Sequence, residues 1–240
     1  MGHSGCVQQW WDLVTATQPV PGAEQQALIG LVALGLVVLA WPWTRMLSTI
    51  VHEGGHATVA MLVGRRLEGI RLHSDTSGLT VSRGRASGPG MIATLLAGYP
   101  APALFGLLAA WVLSKGYAVG LLWGCVALLL LMLLQIRNLV GAGVMLIVLA
   151  GMGAATHYLE PVQQSWLAHL LTWVLLMSGP RVTMELGLRP GATSDPGQLR
   201  RLTGIPTVFW TGLFALVSWA TALVGFGVLV PQLASVWQRP

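Results

Sequence analysis

The residues whose types and spacing best suit chemistry form one short stretch, His52-Glu53-Gly54-Gly55-His56, within an otherwise apolar segment. Its spacing is His-Glu-x-x-His, and residues four apart lie one turn above each other on the same face of a helix. His52 and His56 could therefore present two imidazole nitrogens to one metal ion, for which zinc is the usual choice. Glu53 could take a proton from a metal-bound water and return it to a leaving amine. The stretch predicts the chemistry of a metalloprotease.

A plainer interpretation is that these side chains only decorate an ordinary helix. A glutamate in an apolar helix is costly unless it has a partner or a role. The sequence therefore favours the functional interpretation.

The surrounding chain has the composition of a membrane protein. Of its 240 residues, 54% are hydrophobic and 9% are charged, whereas soluble domains usually carry about 25% charged residues. Several apolar runs approach the roughly 20 residues that cross a bilayer. We predict an all-α polytopic membrane protein with about seven membrane helices, over residues 27–43, 44–63, 91–113, 117–135, 139–156, 166–186 and 207–230.

Residues 1–26, which include Trp10 and Trp11, are predicted to form a leader at the membrane surface, where tryptophan is favoured. Residues 27–240 are predicted to form one membrane-embedded domain. The net charge of +5 does not indicate a nucleic-acid partner, because the charges lie in short connections between apolar spans. Cys6 and Cys125 are far apart and form no thiolate metal site.

The longest polar connection, residues 64–90, has the pattern of a β-hairpin. Ile70 and Leu72 alternate with polar residues, and a second alternating run follows a Ser/Asp/Gly cluster. The hairpin is either a surface loop or an edge strand to which an extended substrate pairs. In the second case, Ile70 and Leu72 would belong to the substrate-binding site, together with Asn138, whose amide could bind a substrate backbone.

The positive-inside rule predicts the orientation. If residues 64–90 are cytoplasmic, Arg45, Lys115 and Arg239 lie outside. The remaining assigned arginines then lie inside, namely Arg65, Arg66, Arg71, Arg83, Arg85, Arg137, Arg189, Arg200 and Arg201. The N-terminus is then cytoplasmic and the histidines are reached from that side. We expect the membrane to be the plasma membrane of a bacterium.

Several motifs follow one another in an order typical of one family. They are His52 to Ala57, Gly64-Arg65, Ser77-Gly78, Arg137-Asn138, Ser194-Asp195 with Leu199, and Thr203-Gly204-Ile205-Pro206. Together they resemble the M50 peptidases, and most closely the M50B-like branch related to site-2 proteases. In site-2 proteases the third metal ligand is an aspartate in an Asn-Pro…Leu-Asp-Gly motif. The present chain does not contain that motif, and the residues that stand in its place are Ser194-Asp195-Pro196-Gly197.

The third ligand can also be sought among the remaining residues, because catalytic zinc usually has three protein ligands and a water. His157 and His169 lie towards the outer ends of their predicted spans, far from His56. Asp195 lies on the cytoplasmic side, from which His52 and His56 are reached. We predict Asp195 as the ligand. Its ordinary alternative is a helix-capping role, and Asp75 and Glu185 remain further candidates, although Glu185 has Arg181 four residues before it.

The sequence thus predicts a Zn²⁺-dependent endopeptidase that cleaves membrane proteins or peptides within or beside the bilayer, compatible with a regulatory membrane partner. Glu53 would be the catalytic residue, and His52, His56 and Asp195 the ligands. One rival is an ion or solute transporter, in which Arg181 and Glu185 line a path. Another is a non-catalytic scaffold that retained the motif.

Overall fold

The computed structural model describes residues 3–188 and 191–230, which are mostly helical with one two-stranded hairpin. In chain order the elements are α1 (His3–Thr15), α2 (Ala23–Leu39), α3 (Trp41–Leu62), β1 (Arg66–Leu72), β2 (Gly78–Arg83), α4 (Pro89–Leu96), α5 (Ala101–Ser114), α6 (Ala118–Leu133), α7 (Leu139–Tyr158), α8 (Pro161–Leu188), α9 (Asp195–Thr203) and α10 (Thr207–Leu229). The predicted helical architecture and hairpin are confirmed. The orientation predicted for Arg189 and Arg239 concerns positions outside the described residues.

The number of membrane spans differs from the prediction. Among the described helices, α7 and α10 are each long and apolar enough to cross a membrane. Two pairs pass the same test only if each is one bent span, namely α2 with α3, bent by 98°, and α4 with α5, bent by 66°. The described residues thus provide two to four candidate spans, and the predicted count of about seven is not confirmed.

The span predicted over residues 91–113 is interrupted. It divides into α4 and α5 at a turn that contains Gly98, Tyr99 and Pro100. Proline has no backbone N–H and clashes with the preceding helical turn, so a helix does not run through it without a kink. This turn proves to lie at the candidate metal centre.

The bend between α2 and α3 is held by Arg181 of α8. Its Nη1 donates a hydrogen bond of 2.6 Å to the carbonyl of Val37, and its guanidinium lies 4.5 Å from the ring centroid of Trp41. The predicted pair between Arg181 and Glu185 is present at 3.9 Å, and Glu185 also lies 4.0 Å from Arg45. Arg181 therefore joins the end of α2 to the start of α3.

The core surrounds α8, which packs against α2, α5, α6 and α10. Small residues allow the close approach that membrane helices need. A Cβ on Gly106 of α5 would lie 3.0 Å from Leu176 of α8, and one on Gly225 of α10 would lie 2.6 Å from it. Leu176 is therefore enclosed by backbone on two sides.

The hairpin is antiparallel and docks against α3. Its register pairs Ile70 with Thr80 and Leu72 with Gly78. The hydroxyl of Thr49 on α3 donates a hydrogen bond of 2.8 Å to the carbonyl of Thr76 in the hairpin turn. The hairpin is thus fastened beside the helix that carries the His-Glu-x-x-His stretch.

Candidate metal centre

The two histidines of α3 face the same point, as their spacing predicts. Their Nε2 atoms lie 3.0 Å apart, and their rings meet edge to face. His56 is buried. Its Nδ1 lies 2.7 Å from the carbonyl oxygen of Thr94 in α4. Because a carbonyl only accepts, Nδ1 carries the proton, and a neutral ring then directs the Nε2 lone pair towards His52.

Asp195 reaches the same point from a distant part of the sequence. It is the first residue of α9, and the N-cap is Ser194, whose hydroxyl oxygen accepts from the backbone N–H of Gly197 at 3.4 Å. The capping role is therefore taken by the neighbouring residue. The Oδ2 atom of Asp195 lies 3.2 Å from Nε2 of His56 and 3.6 Å from Nε2 of His52.

The three donor atoms fit a small tetrahedral cation. Ligand atoms bound tetrahedrally at 2.0–2.1 Å, as at zinc, are separated by about 3.3 Å. The observed separations of 3.0, 3.2 and 3.6 Å bracket this value. Oδ2 of Asp195 is buried and has no hydrogen-bond partner among the described residues, and a buried carboxylate oxygen is costly unless something pairs with it. His52, His56 and Asp195 therefore form a candidate metal site.

The turn between α4 and α5 covers this site. The ring of Tyr99 meets that of His52 edge to face, with the centroids 4.8 Å apart, and stacks on Phe214 of α10. Gly98 lies against both imidazoles, since a Cβ there would overlap His56 and come within 2.6 Å of His52. Groups that orient metal ligands commonly surround such sites, and here they come from α4, α10 and the turn.

Glu53 lies between the histidines and the hairpin. The residue is 3% exposed, and its Oε2 accepts a hydrogen bond of 2.6 Å from the hydroxyl of Thr80. Gly78 leaves room for it, because a Cβ at position 78 would lie 2.6 Å from Oε1. A cavity of about 250 Å³ opens beside Glu53, and its wall includes the two histidines, Asp195, Tyr99 and Gln198.

The competing ligand candidates are engaged elsewhere. The carboxylate of Asp75 accepts hydrogen bonds from the hydroxyl and backbone N–H of Ser77, and these hold the pKa of Asp75 below its ordinary value. Glu185 lies between two arginines, as described above. Nδ1 of His169 donates to the carbonyl of Ser165 within α8. None of these side chains belongs to the candidate metal site within the described residues.

The residues predicted to bind substrate do not line the cavity. Ile70 and Leu72 of β1 are buried. The far edge of β1 is already paired, because Ile70 accepts from the N–H of Arg137 and donates to the carbonyl of Gln135. The side-chain amide of Asn138 bonds both backbone groups of Leu72, at 2.7 and 3.2 Å. In the structure these three residues tie the hairpin to the start of α7, and their role in substrate binding stays a prediction.

Several residues at the site were not predicted. The Gly-Tyr-Pro run at 98–100 is a recognisable helix breaker, and it could have indicated a turn inside the membrane. Thr80 offers no such signal, because a threonine in an alternating strand is ordinary. Thr94 contributes only its carbonyl oxygen, which any residue would supply.

Fold and site together define a membrane protein with a candidate metal centre on a His-Glu-x-x-His helix. A family model described as Peptidase M50B-like matches residues 26–225. The chain belongs to this family, and M50 peptidases are metallopeptidases. No curated protein and no solved structure matches the chain.

Proposed function

We propose that the protein is a zinc-dependent endopeptidase of the site-2 protease type, which hydrolyses peptide bonds of membrane substrates within or beside the bilayer. One observation carries the proposal: two imidazole nitrogens converge within 4.8 Å of a carboxylate oxygen that has no hydrogen-bond partner among the described residues. A buried glutamate lies next to the two histidines on their helix. Membership of a peptidase family also supports it.

His52, His56 and Asp195 would hold the metal. Nitrogen and carboxylate donors at these separations suit zinc, whereas calcium prefers more oxygen ligands at 2.3–2.6 Å. Bound zinc would lower the pKa of a water towards about 7 and polarise the scissile carbonyl. The hydrogen bond from His56 to Thr94 would keep that ring in the tautomer whose Nε2 can bind a metal.

Glu53 would move the proton. Its carboxylate lines the cavity and has one oxygen bonded to Thr80, so the other oxygen can accept a proton from the attacking water. The same group would then give this proton to the departing amine, which makes Glu53 a general base and afterwards a general acid.

An extended substrate would bind along the outer edge of β2, which pairs with no further strand among the described residues. Because Ile70 and Leu72 direct their backbone groups away from β2, their register partners Thr80 and Gly78 direct theirs to the outer edge of the hairpin. Both also line the cavity beside Glu53. Strand addition would hold the scissile bond in extended form, which a helical substrate reaches only after it unwinds.

The rival functions gain no support from the same side chains. An ion path needs charges that face a passage, but Arg181 is bound to Val37 and Trp41 at the α2–α3 bend. A non-catalytic scaffold that kept the metal site would share the three donors, and it is the loss of cleavage in Glu53→Gln that separates an enzyme from it.

The test uses the full chain purified in detergent with a pool of synthetic membrane-spanning peptides in ¹⁸O-labelled water. The proposal predicts cleavage by the wild type, with ¹⁸O at the new carboxyl terminus. Glu53→Gln should bind as much zinc but cleave nothing, because an amide cannot accept the proton. Cleavage by the Gln variant, or a wild-type protein that binds no zinc, would overturn the proposal.

A further inference from the structure

The hairpin touches the glutamate of the His-Glu-x-x-His stretch at two positions on one strand face. Residues two apart on a strand point to the same side, and Gly78 and Thr80 are such a pair. Gly78 leaves room for the Glu53 side chain, and Thr80 donates to its Oε2 at 2.6 Å. The Thr80 hydroxyl also lies 3.2 Å from the backbone carbonyl oxygen of Glu53.

We propose that Thr80 is a positioning residue, whose hydroxyl aims the Glu53 carboxylate into the cavity beside the metal site. The inference rests on the proposed function. A carboxylate offers about four lone-pair positions on its two oxygens, so one bond from Thr80 fixes the plane of the group and leaves sites free for a water. Without that bond, the Glu53 side chain could rotate away from the reacting atoms.

The same residue links substrate binding to this orientation. The backbone of Thr80 lies on the outer edge of β2, while its side chain holds Glu53. A substrate strand paired to that edge would therefore be held in fixed register with the general base. Positioning of this kind is worth a large rate factor, since a displacement of about 1 Å can cost roughly 100-fold.

Three variants separate positioning from general anchoring. Thr80→Val has nearly the same shape but no donor, and Thr80→Ser restores the donor. Thr49→Val is the matched control, because it removes the other threonine contact between α3 and the hairpin, to Thr76, without touching Glu53. Each is measured for zinc content, for kcat and KM on a peptide cleaved in the pool, and for Kd of a peptidyl hydroxamate.

The hydroxamate provides a readout independent of turnover, because its hydroxyl proton must be accepted by the glutamate when it binds the metal. Thr80→Val should lower kcat by about 10- to 100-fold and weaken hydroxamate binding, with KM and zinc content unchanged. Thr80→Ser and Thr49→Val should both stay close to the wild type.

The inference is overturned if Thr80→Val keeps wild-type kcat and hydroxamate affinity. It is also overturned if Thr80→Ser is as impaired as Thr80→Val, or if Thr49→Val matches the loss, since docking of the hairpin would then explain the effect. A wild-type protein that binds zinc and hydroxamate but cleaves no peptide counts against the proposed function alone, and hydroxamate affinity then decides the role of Thr80.

Discussion

The α-carbon of Gly98 lies against the imidazole of His56, so closely that a methyl group at position 98 would overlap the ring. The turn between α4 and α5 thus covers the candidate metal site with backbone rather than with a side chain.

Gly98→Ala should abolish zinc binding, because the added methyl group displaces both His56 and His52. Zinc per protein molecule, measured by mass spectrometry of the purified protein, tests this. Gly124→Ala on α6 is the control, because no atom of the described residues lies within 4 Å of its Cβ position. Equal zinc in both variants would contradict the geometry of the turn.

The two adjacent glycines of the motif should behave differently. A Cβ on Gly55 would lie 2.6 Å from the carbonyl oxygen of Ala97 and 2.7 Å from Cβ of Ala101, whereas for one on Gly54 the nearest described neighbour is Met132, at 4.0 Å. Gly55→Ala should destabilise the protein by about 1–3 kcal/mol through overpacking. Gly54→Ala should be neutral or stabilising by up to about 1 kcal/mol through helix propensity.

Thermal unfolding of both variants in the same detergent provides the comparison. Equal midpoints for Gly55→Ala and Gly54→Ala would show that α3 does not pack on the α4–α5 turn as described.

Arg181 should matter more for stability than its ion pair suggests. Arg181→Met removes the hydrogen bond to Val37 and the cation–π contact with Trp41. We expect this change to lower the free energy of unfolding by about 2–4 kcal/mol. Glu185→Gln removes two ion pairs whose side chains are partly exposed. It should lower the free energy of unfolding by less than about 1 kcal/mol. Denaturation of the two variants is the measurement, and a larger loss in the glutamate variant would contradict the assigned role.

The orientation in the membrane remains a prediction with a direct test. Single cysteines at Arg83, Arg200 and Lys115, in a background without Cys6 and Cys125, are labelled with a reagent that does not cross membranes. The first two should react from the cytoplasmic side and the third from the outside. Labelling of Arg83 and Lys115 from the same side would overturn the orientation.

The features predicted well from sequence are those with a local cause. Two histidines four residues apart lie on the same face of any helix. The hairpin follows from alternating apolar and polar residues on both sides of a turn. The break at Gly98 and Pro100 had a local signal, but the apolar length of residues 91–113 outweighed it. The broken helix is stabilised by packing of the turn against α3 and α10, which the local sequence does not show.

Other features depend on contacts between distant parts of the chain. Asn138 and Leu72 are 66 positions apart, and no pattern near either residue indicates that the amide occupies the edge of β1. The position of Asp195 next to His56 likewise depends on how α9 packs beneath α4. Elimination and resemblance favour Asp195 in the sequence, whereas the capping alternative depends on the backbone at the start of α9, where Ser194 takes that role.

Binding of one zinc ion by His52, His56 and Asp195 can be measured without any assay of activity, by X-ray absorption at the zinc edge of the purified protein. We expect one zinc per chain, with two imidazole nitrogens at about 2.0–2.1 Å and carboxylate and water oxygens at about 2.0–2.2 Å. Asp195→Asn should lose zinc or show an altered oxygen shell, although Ser194 still caps α9. A wild-type protein without zinc, or a spectrum unchanged in Asp195→Asn at full occupancy, would contradict the claim.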